Sequence, residues 1–239
     1  MVDLISDPAV WASFLTLLVL EIVLGVDNVI FISITASRLP PEKRRAARLL
    51  GLSGAMVMRV LLLYSIAWIA SLKTPIFEAF GQLVSWRDLI MLGGGLFLIY
   101  KATTEIFMEV EGEETQQSTA AAGFAAIVFQ IVLLDIVFSL DSVITAVGIA
   151  DHLEVMVAAV VIAVLVMMVA AEPIANFVEA HPSTKMLALA FLVMVGMALV
   201  ADGFQVHVER GFIYAAMVFA GAVEVLNLVR SKRRKRLRA

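Results

Sequence analysis

Cysteine is absent from the 239 residues, which excludes disulfides, thiolate metal sites and thiol nucleophiles together and leaves the redox compartment unreadable. Histidine is scarce: His152, His181 and His207 fall at predicted loops or helix ends on differing sides, so they do not converge on a shared metal site. The N-terminus has neither the basic segment nor the small-residue cleavage pattern of a signal peptide. The first apolar run, from Trp11, outlasts any cleavable length, so the first span is expected to stay. What the chain has in quantity is apolar residues. They make up 62% of it, with a mean hydropathy of +0.97, in runs too long and frequent for a soluble core of this size. A polytopic membrane protein is expected, with the lipid bilayer as a partner. The formal net charge of −3 says little, because the basic residues cluster while several acidic ones sit inside apolar runs.

Windows of about 20 apolar residues place seven spans at roughly 9–36, 48–71, 88–108, 123–150, 154–179, 185–204 and 211–230. The link from Arg38 through Lys43, Arg44, Arg45 and Arg48 is densely basic, as is the tail from Arg230 to Arg238. Both belong on the cytoplasmic side by the positive-inside rule, and seven spans with the N-terminus outside put them there together. Glu109, Glu111, Glu113 and Glu114 precede a Gln/Ser/Thr/Ala stretch that reads as a mobile cytoplasmic linker rather than a metal-attracting antechamber.

Two near-copies of one segment carry the chemistry: Glu21-Ile-Val-Leu-Gly-Val-Asp27-Asn28-Val-Ile and Asp135-Ile-Val-Phe-Ser-Leu-Asp141-Ser142-Val-Ile. Each puts two carboxylates inside an apolar stretch, at a cost of roughly 2.5–3.5 kcal/mol per charge at mid-membrane on insertion scales. Glu21 to Asp135 and Asp27 to Asp141 share an offset of 114 residues, and each copy lies on the first helix of a set of three. Three is odd, so the second set is inverted relative to the first. Gly95–Lys101 and Gly196–Asp202 repeat more weakly. The expected fold is therefore an all-α membrane protein with seven transmembrane helices, an inverted repeat of two three-helix units and one extra C-terminal helix. Residues 1–239 form a single membrane domain: a first repeat over 1–108, an acidic cytoplasmic linker over 109–122, a second repeat over 123–207, a seventh helix over 208–230 and a basic cytoplasmic tail over 231–239. Such repeats are typical of secondary transporters, whose sites lie at the repeat interface near mid-membrane.

On an unbroken helix six residues turn the chain by about 600°, so Glu21 and Asp27 point some 120° apart. Gly25 and Asn28, or Ser139 and Ser142 in the second copy, share the face of the first acid. A loosened turn at Gly25 and at Ser139 would bring each pair of acids together, and breaks or kinks are expected at both. Glu21, Asp27, Asn28, Asp135, Asp141 and Ser142 then form an oxygen-only set suited to a hard divalent cation such as Mg²⁺, Ca²⁺ or Mn²⁺. Four ionised carboxylates around one such ion leave excess negative charge, so protons or an internal cation must offset it. Metal binding would then release protons, the basis for proton-coupled antiport.

Arg59, in the middle of span two, is that internal cation, expected to pair with Glu172 or Asp27 or to gate the ion path. Glu172 precedes Pro173, which removes an amide donor and frees carbonyls beside a candidate pathway carboxylate. Glu224 reads as structural or oligomeric, and Lys101 and Asp202 as interfacial anchors near helix ends. The methionines read as adaptable packing. Gly93-Gly94-Gly95 lacks the strand-to-helix context of a phosphate loop and reads as a close helix crossing. Aromatic and small-residue faces allow a homo-oligomer. Nothing points to nucleic acid, and no prosthetic group is expected.

Together with Gly94-Gly95-Leu-Phe-Leu-Ile-Tyr-Lys101-Ala-Thr, Ala201-Asp202-Gly-Phe and Gly211-Phe-Ile-Tyr-Ala-Ala-Met, the twin segments resemble the TerC family over nearly the whole chain. The resemblance implies a multi-pass cell (inner) membrane protein of the LysE-type transporter superfamily, in many members a manganese exporter. It implies the same six metal-site residues, with Asp135 standing where the first copy has Glu. The expected function is a proton-linked secondary transporter exporting Mn²⁺ as substrate, rather than an enzyme. An exporter of Ca²⁺ or a membrane scaffold delivering metal to secreted or membrane enzymes is the alternative. An intramembrane aspartyl protease lacks its Gly-x-Gly-Asp signature here, because Val26 precedes Asp27.

Overall fold

The computed structural model describes residues 7–65, 74–79, 82–111, 120–150 and 152–236; the side chains of Asp27 and Asp141 lie outside that description. Seven helices form among these residues: α1 (Pro8–Ala36), α2 (Pro41–Tyr64), α3 (Trp86–Glu111), α4 (Ala120–Ile149), α5 (Leu153–Ala180), α6 (Pro182–Gly203) and α7 (Arg210–Arg236). Each contains a segment long and apolar enough to cross a membrane.

Local sequence sets the helix starts. Pro8, Pro41 and Pro182 open α1, α2 and α6, where a proline's missing N–H costs nothing. Asp7 caps α1 by accepting from the Ala9 amide at 2.8 Å. The start of α3 is a capping box: the Ser85 amide donates to Asp88 Oδ2 at 2.9 Å and the Asp88 amide to Ser85 Oγ at 3.3 Å.

Two of the helix boundaries differ from the sequence expectation for reasons of composition. Helix α2 begins at Pro41 rather than near residue 48, because hydropathy measures the lipid-compatible stretch, whereas Glu42–Arg48 is charged yet made of good helix formers. The end of that expected span falls on residues outside the described ones. Helix α3 runs on to Glu111, so Glu109 and Glu111 are helical rather than linker; Glu113 and Glu114 are not among the described residues. The all-α fold also carries one small hairpin that the sequence did not announce. Strands β1 (Pro75–Ala79) and β2 (Gln82–Ser85) pair antiparallel between α2 and α3, with Phe77 opposite Val84 and Glu78 opposite Leu83. β-Prone residues there are too few to register in a membrane-span window.

Packing follows the small residues. Helix α3 crosses α6 at Gly95 and Gly196: a Cβ on Gly95 would stand 2.7 Å from the Gly196 carbonyl, and one on Gly196 3.0 Å from that of Gly95. Helix α1 meets α5 where Gly25 faces Met167, and α2 meets α4 where Gly51 and Gly54 face Ile131 and Val132. Helix α7 is peripheral, with Phe212, Val218, Phe219 and Leu226 exposed and its apolar window unburied.

The helix directions alternate along the chain. The starts of α1, α3, α5 and α7 share one face, here the N-terminal face, with the ends of α2, α4 and α6. The opposite, basic face carries Lys43–Arg45 and the end of α7. Ion pairs tie the basic face across helices: Arg38 to Glu105, Lys185 to Glu109, and Arg44 to Glu179 at 3.0 Å. Glu224 holds α7 to the start of α6, accepting from Ser183 Oγ at 2.5 Å and Thr184 Oγ1 at 3.2 Å, the structural role its position outside the repeat suggests.

Candidate metal centre at the twin motif

Spacings of four and seven residues put Glu21, Gly25 and Asn28 on one side of α1, and Asp135, Ser139 and Ser142 on one side of α4. All six are buried. Between the two helices stands Arg59 of α2. Its Nη1 donates to Glu21 Oε2 at 2.5 Å, while Nε and Nη2 donate to the two oxygens of Asp135 at 2.9 and 2.6 Å. The three residues are between 3% and 5% exposed, so solvent does not screen this triplet. The planar guanidinium fork satisfies Asp135 bidentately and still reaches Glu21. Two carboxylates against one guanidinium leave the group one negative charge in excess.

This corrects one of the partners expected for Arg59, Glu172; the other, Asp27, has its side chain outside the described residues. Glu172 instead lies near the surface, 3.7 Å from Arg45, with its side chain 52% exposed. Proline 173 is absorbed within an unbroken α5.

The expected breaks are not there either. Helices α1 and α4 run continuously through Gly25 and Ser139. The bareness of Gly25 serves packing, since a Cβ there would lie 2.3 Å from Met167 Sδ. Ser139 Oγ donates to the Ile136 carbonyl and Ser142 Oγ to the Ser139 carbonyl, each at 3.2 Å, so these hydroxyls satisfy themselves along an intact helix. The two motifs are joined by a third helix carrying Arg59 rather than by unwinding.

A cavity of about 40 Å³ adjoins the triplet, lined by Asn28, Arg59, Phe138, Ser142, Asp202 and Tyr214 among others. That is room for a water-sized occupant or two. It reaches toward the N-terminal face beside α7, whose Ile213 and Tyr214 close one flank. Asp202 is the residue the sequence reading misplaced: it is 8% exposed and turned into this cavity rather than anchored at the interface. His207 Nδ1 lies 3.2 Å from its Oδ1. The likeness between Gly95–Lys101 and Gly196–Asp202 marked the position, but proximity to a helix end does not reveal which way a side chain faces. Among the described residues no three His, Asp or Glu side chains cluster as a metal cage; Asp27 and Asp141 are outside that set.

Comparison with known proteins bears on the same residues. The family model described as "Integral membrane protein TerC family" matches residues 6–239, which include both motifs, Arg59 and Asp202. The chain belongs to the TerC family. Among TerC relatives, the UPF0053 inner membrane protein YgdQ of Escherichia coli (strain K12) is 57% identical over 229 residues, covering 96% of this chain and 97% of that protein. A UPF0053 protein of Haemophilus influenzae is 52% identical over 230 residues, covering 95% and 97%. The inner membrane protein YoaE of E. coli K12 is 50% identical over 229 residues, which make up 95% of this chain but only 44% of YoaE. No solved structure matches this TerC chain.

Proposed function

We propose that this TerC-family protein is a multi-pass inner membrane secondary transporter that exports hard divalent cations, Mn²⁺ foremost, in exchange for protons. The observation that carries the reading is Arg59 held between Glu21 and Asp135, two carboxylates at matching positions of the twin motif, beside a cavity whose largely apolar lining includes Asn28, Ser142, Asp202 and Tyr214. A cation placed among buried acids has no stabilising role that apolar packing could not fill as well. It makes sense where the acids must be ready for another cation.

In this mechanism Arg59 is the resident counter-charge. An incoming M²⁺ takes oxygens from Glu21 and Asp135, with Asp27, Asn28, Asp141 and Ser142 completing an oxygen shell. The guanidinium swings aside. When the metal leaves, protons and Arg59 restore the charge balance, which links metal release to proton uptake. Access from the N-terminal face is supported by the cavity lining, which includes Asp202 and Val208 near that face, and by the cross-helix ion pairs on the basic face. With the basic face cytoplasmic by the positive-inside rule, such access opens outward.

The reading includes an inverted repeat, α1–α3 against α4–α6. It is supported by α1–α5 and α2–α4 being the equivalent packed pairs under such a symmetry, and by the matching glycines Gly95 and Gly196 touching each other.

Purified protein in liposomes tests the proposal. Native protein is expected to carry Mn²⁺ down an imposed gradient, faster with an opposing proton gradient. Asp27→Asn and Asp141→Asn are each expected to lower flux by about tenfold or more, the scale on which loss of a ligand-shell carboxylate acts. Flux equal to native in both variants would overturn the site, and flux indifferent to the proton gradient would overturn the coupling. Mn²⁺ binding without any flux would favour a scaffold that hands metal to other proteins. Preferential movement of Ca²⁺ would reassign the substrate.

A further inference from the structure

A second cavity, of about 320 Å³, opens between α2 and α5 toward the basic face, and is lined by Arg45, Arg48, Leu49, Leu52, Val169 and Glu172 among others. Arg48 is 7% exposed, yet among the described residues its guanidinium has no carboxylate or other hydrogen-bonding partner. The nearby acid, Glu172, is held by Arg45 instead, at 3.7 Å with both side chains largely exposed. No Arg48 nitrogen is among the fully enclosed unpaired atoms, so the guanidinium stays open to the cavity, where an incoming anion would give it a charge-assisted partner.

Position and surroundings identify the anion. Arg48 lies seven residues into α2, about 10 Å along the axis from the helix start, where the charged first turns of α2 give way to the apolar run that begins at Leu49. The walls beside it are apolar and open outward, with Leu49 40% and Val169 78% exposed. A free phosphate ion has no use for such walls, whereas acyl chains do. Two arginines against one glutamate leave the pocket a net charge of +1, which suits the single charge of a phosphodiester. Clusters of basic residues between helices on the cytoplasmic side are where anionic headgroups settle.

We infer that the α2–α5 crevice is a binding site for an anionic glycerophospholipid, with its phosphodiester held by Arg48 and Arg45 and its acyl chains lying along Leu49 and Val169. The site is separate from the twin-motif centre and does not depend on what that centre transports.

Native mass spectrometry of the full chain, released from micelles doped with phosphatidylglycerol or phosphatidylcholine, tests this. The native protein is expected to retain one phosphatidylglycerol in preference to phosphatidylcholine. Arg48→Gln is expected to weaken that retention by about tenfold, as loss of a charge-assisted hydrogen bond does. Glu172→Gln is expected to strengthen it severalfold by removing the one opposing charge, a gain that misfolding cannot mimic. Equal retention of the two lipids, unchanged binding in both variants, or displacement of phosphatidylglycerol by millimolar inorganic phosphate would overturn the assignment.

Discussion

Arg59→Gln is expected to destabilise the protein by about 3–5 kcal/mol, the cost of leaving a buried ion pair without one partner. Two carboxylates lose the guanidinium they share in a place where they are almost fully buried. Arg59→Lys should fall between, because an ammonium keeps the charge but cannot bond both oxygens of Asp135 and also reach Glu21. Thermal unfolding in detergent, with and without added Mn²⁺, reads the effect. If Arg59 stands in for the transported cation, Mn²⁺ should restore much of the stability lost by Arg59→Gln and should stabilise that variant more than it does the native protein. The variant should bind the ion more tightly but turn it over more slowly, since nothing displaces the metal. An Arg59→Gln protein as stable as native would mean that the triplet carries no strain of charge and that the exchange mechanism is wrong.

The second large effect is expected at the α3–α6 crossing. In Gly95→Val the first added carbon meets the Gly196 carbonyl at 2.7 Å and the Val200 amide nitrogen at 2.8 Å. Neither is a side chain that can rotate away. The helices must separate, which is expected to cost at least the 1–3 kcal/mol typical of overpacking and to leave little folded protein. Gly94→Ala should be milder, since the obstacle is the Val137 side chain. Gly93→Ala meets nothing within 4 Å and should be neutral or stabilising by up to about 1 kcal/mol from helix propensity. Three adjacent glycines with three different outcomes in the yield and melting temperature of purified protein would establish that the crossing depends on backbone contact.

Much of this arrangement was legible in the sequence because the sequence says it twice. The 114-residue offset between Glu21 and Asp135 identified two residues that the fold joins through one guanidinium, and helical spacing placed Asn28 and Ser142 on the same buried faces. Arg59 was visible as the internal cation. Its bonds to Glu21 and Asp135 were not, since they depend on how α2 rotates between α1 and α4, and no periodicity within α2 encodes that. Gly25 misled for a related reason: a glycine in a helix signals either a loosened turn or a close neighbour, and only the position of Met167 decides between them. The burial of Asp202 has no sequence signal, because residues near helix ends usually reach water, whereas here the segment after α6 brings Val208 and α7 alongside it. The α2–α5 crevice left no sequence signal, because Arg48 sits within a basic run that topology already explained.

The most direct test of the central claim is a Mn²⁺ titration of the purified protein, following the free-ion electron paramagnetic resonance signal. The native chain is compared with the triple variant Glu21→Gln/Arg59→Gln/Asp135→Asn, which removes the buried charges together and so leaves no lone ion behind. The native protein is expected to bind one Mn²⁺ per chain and to release protons as it does so. The triple variant, folded by circular dichroism, is expected to bind at least about tenfold more weakly. Binding of the same strength in both proteins would contradict the account, because the metal would then be held somewhere other than at the twin motif.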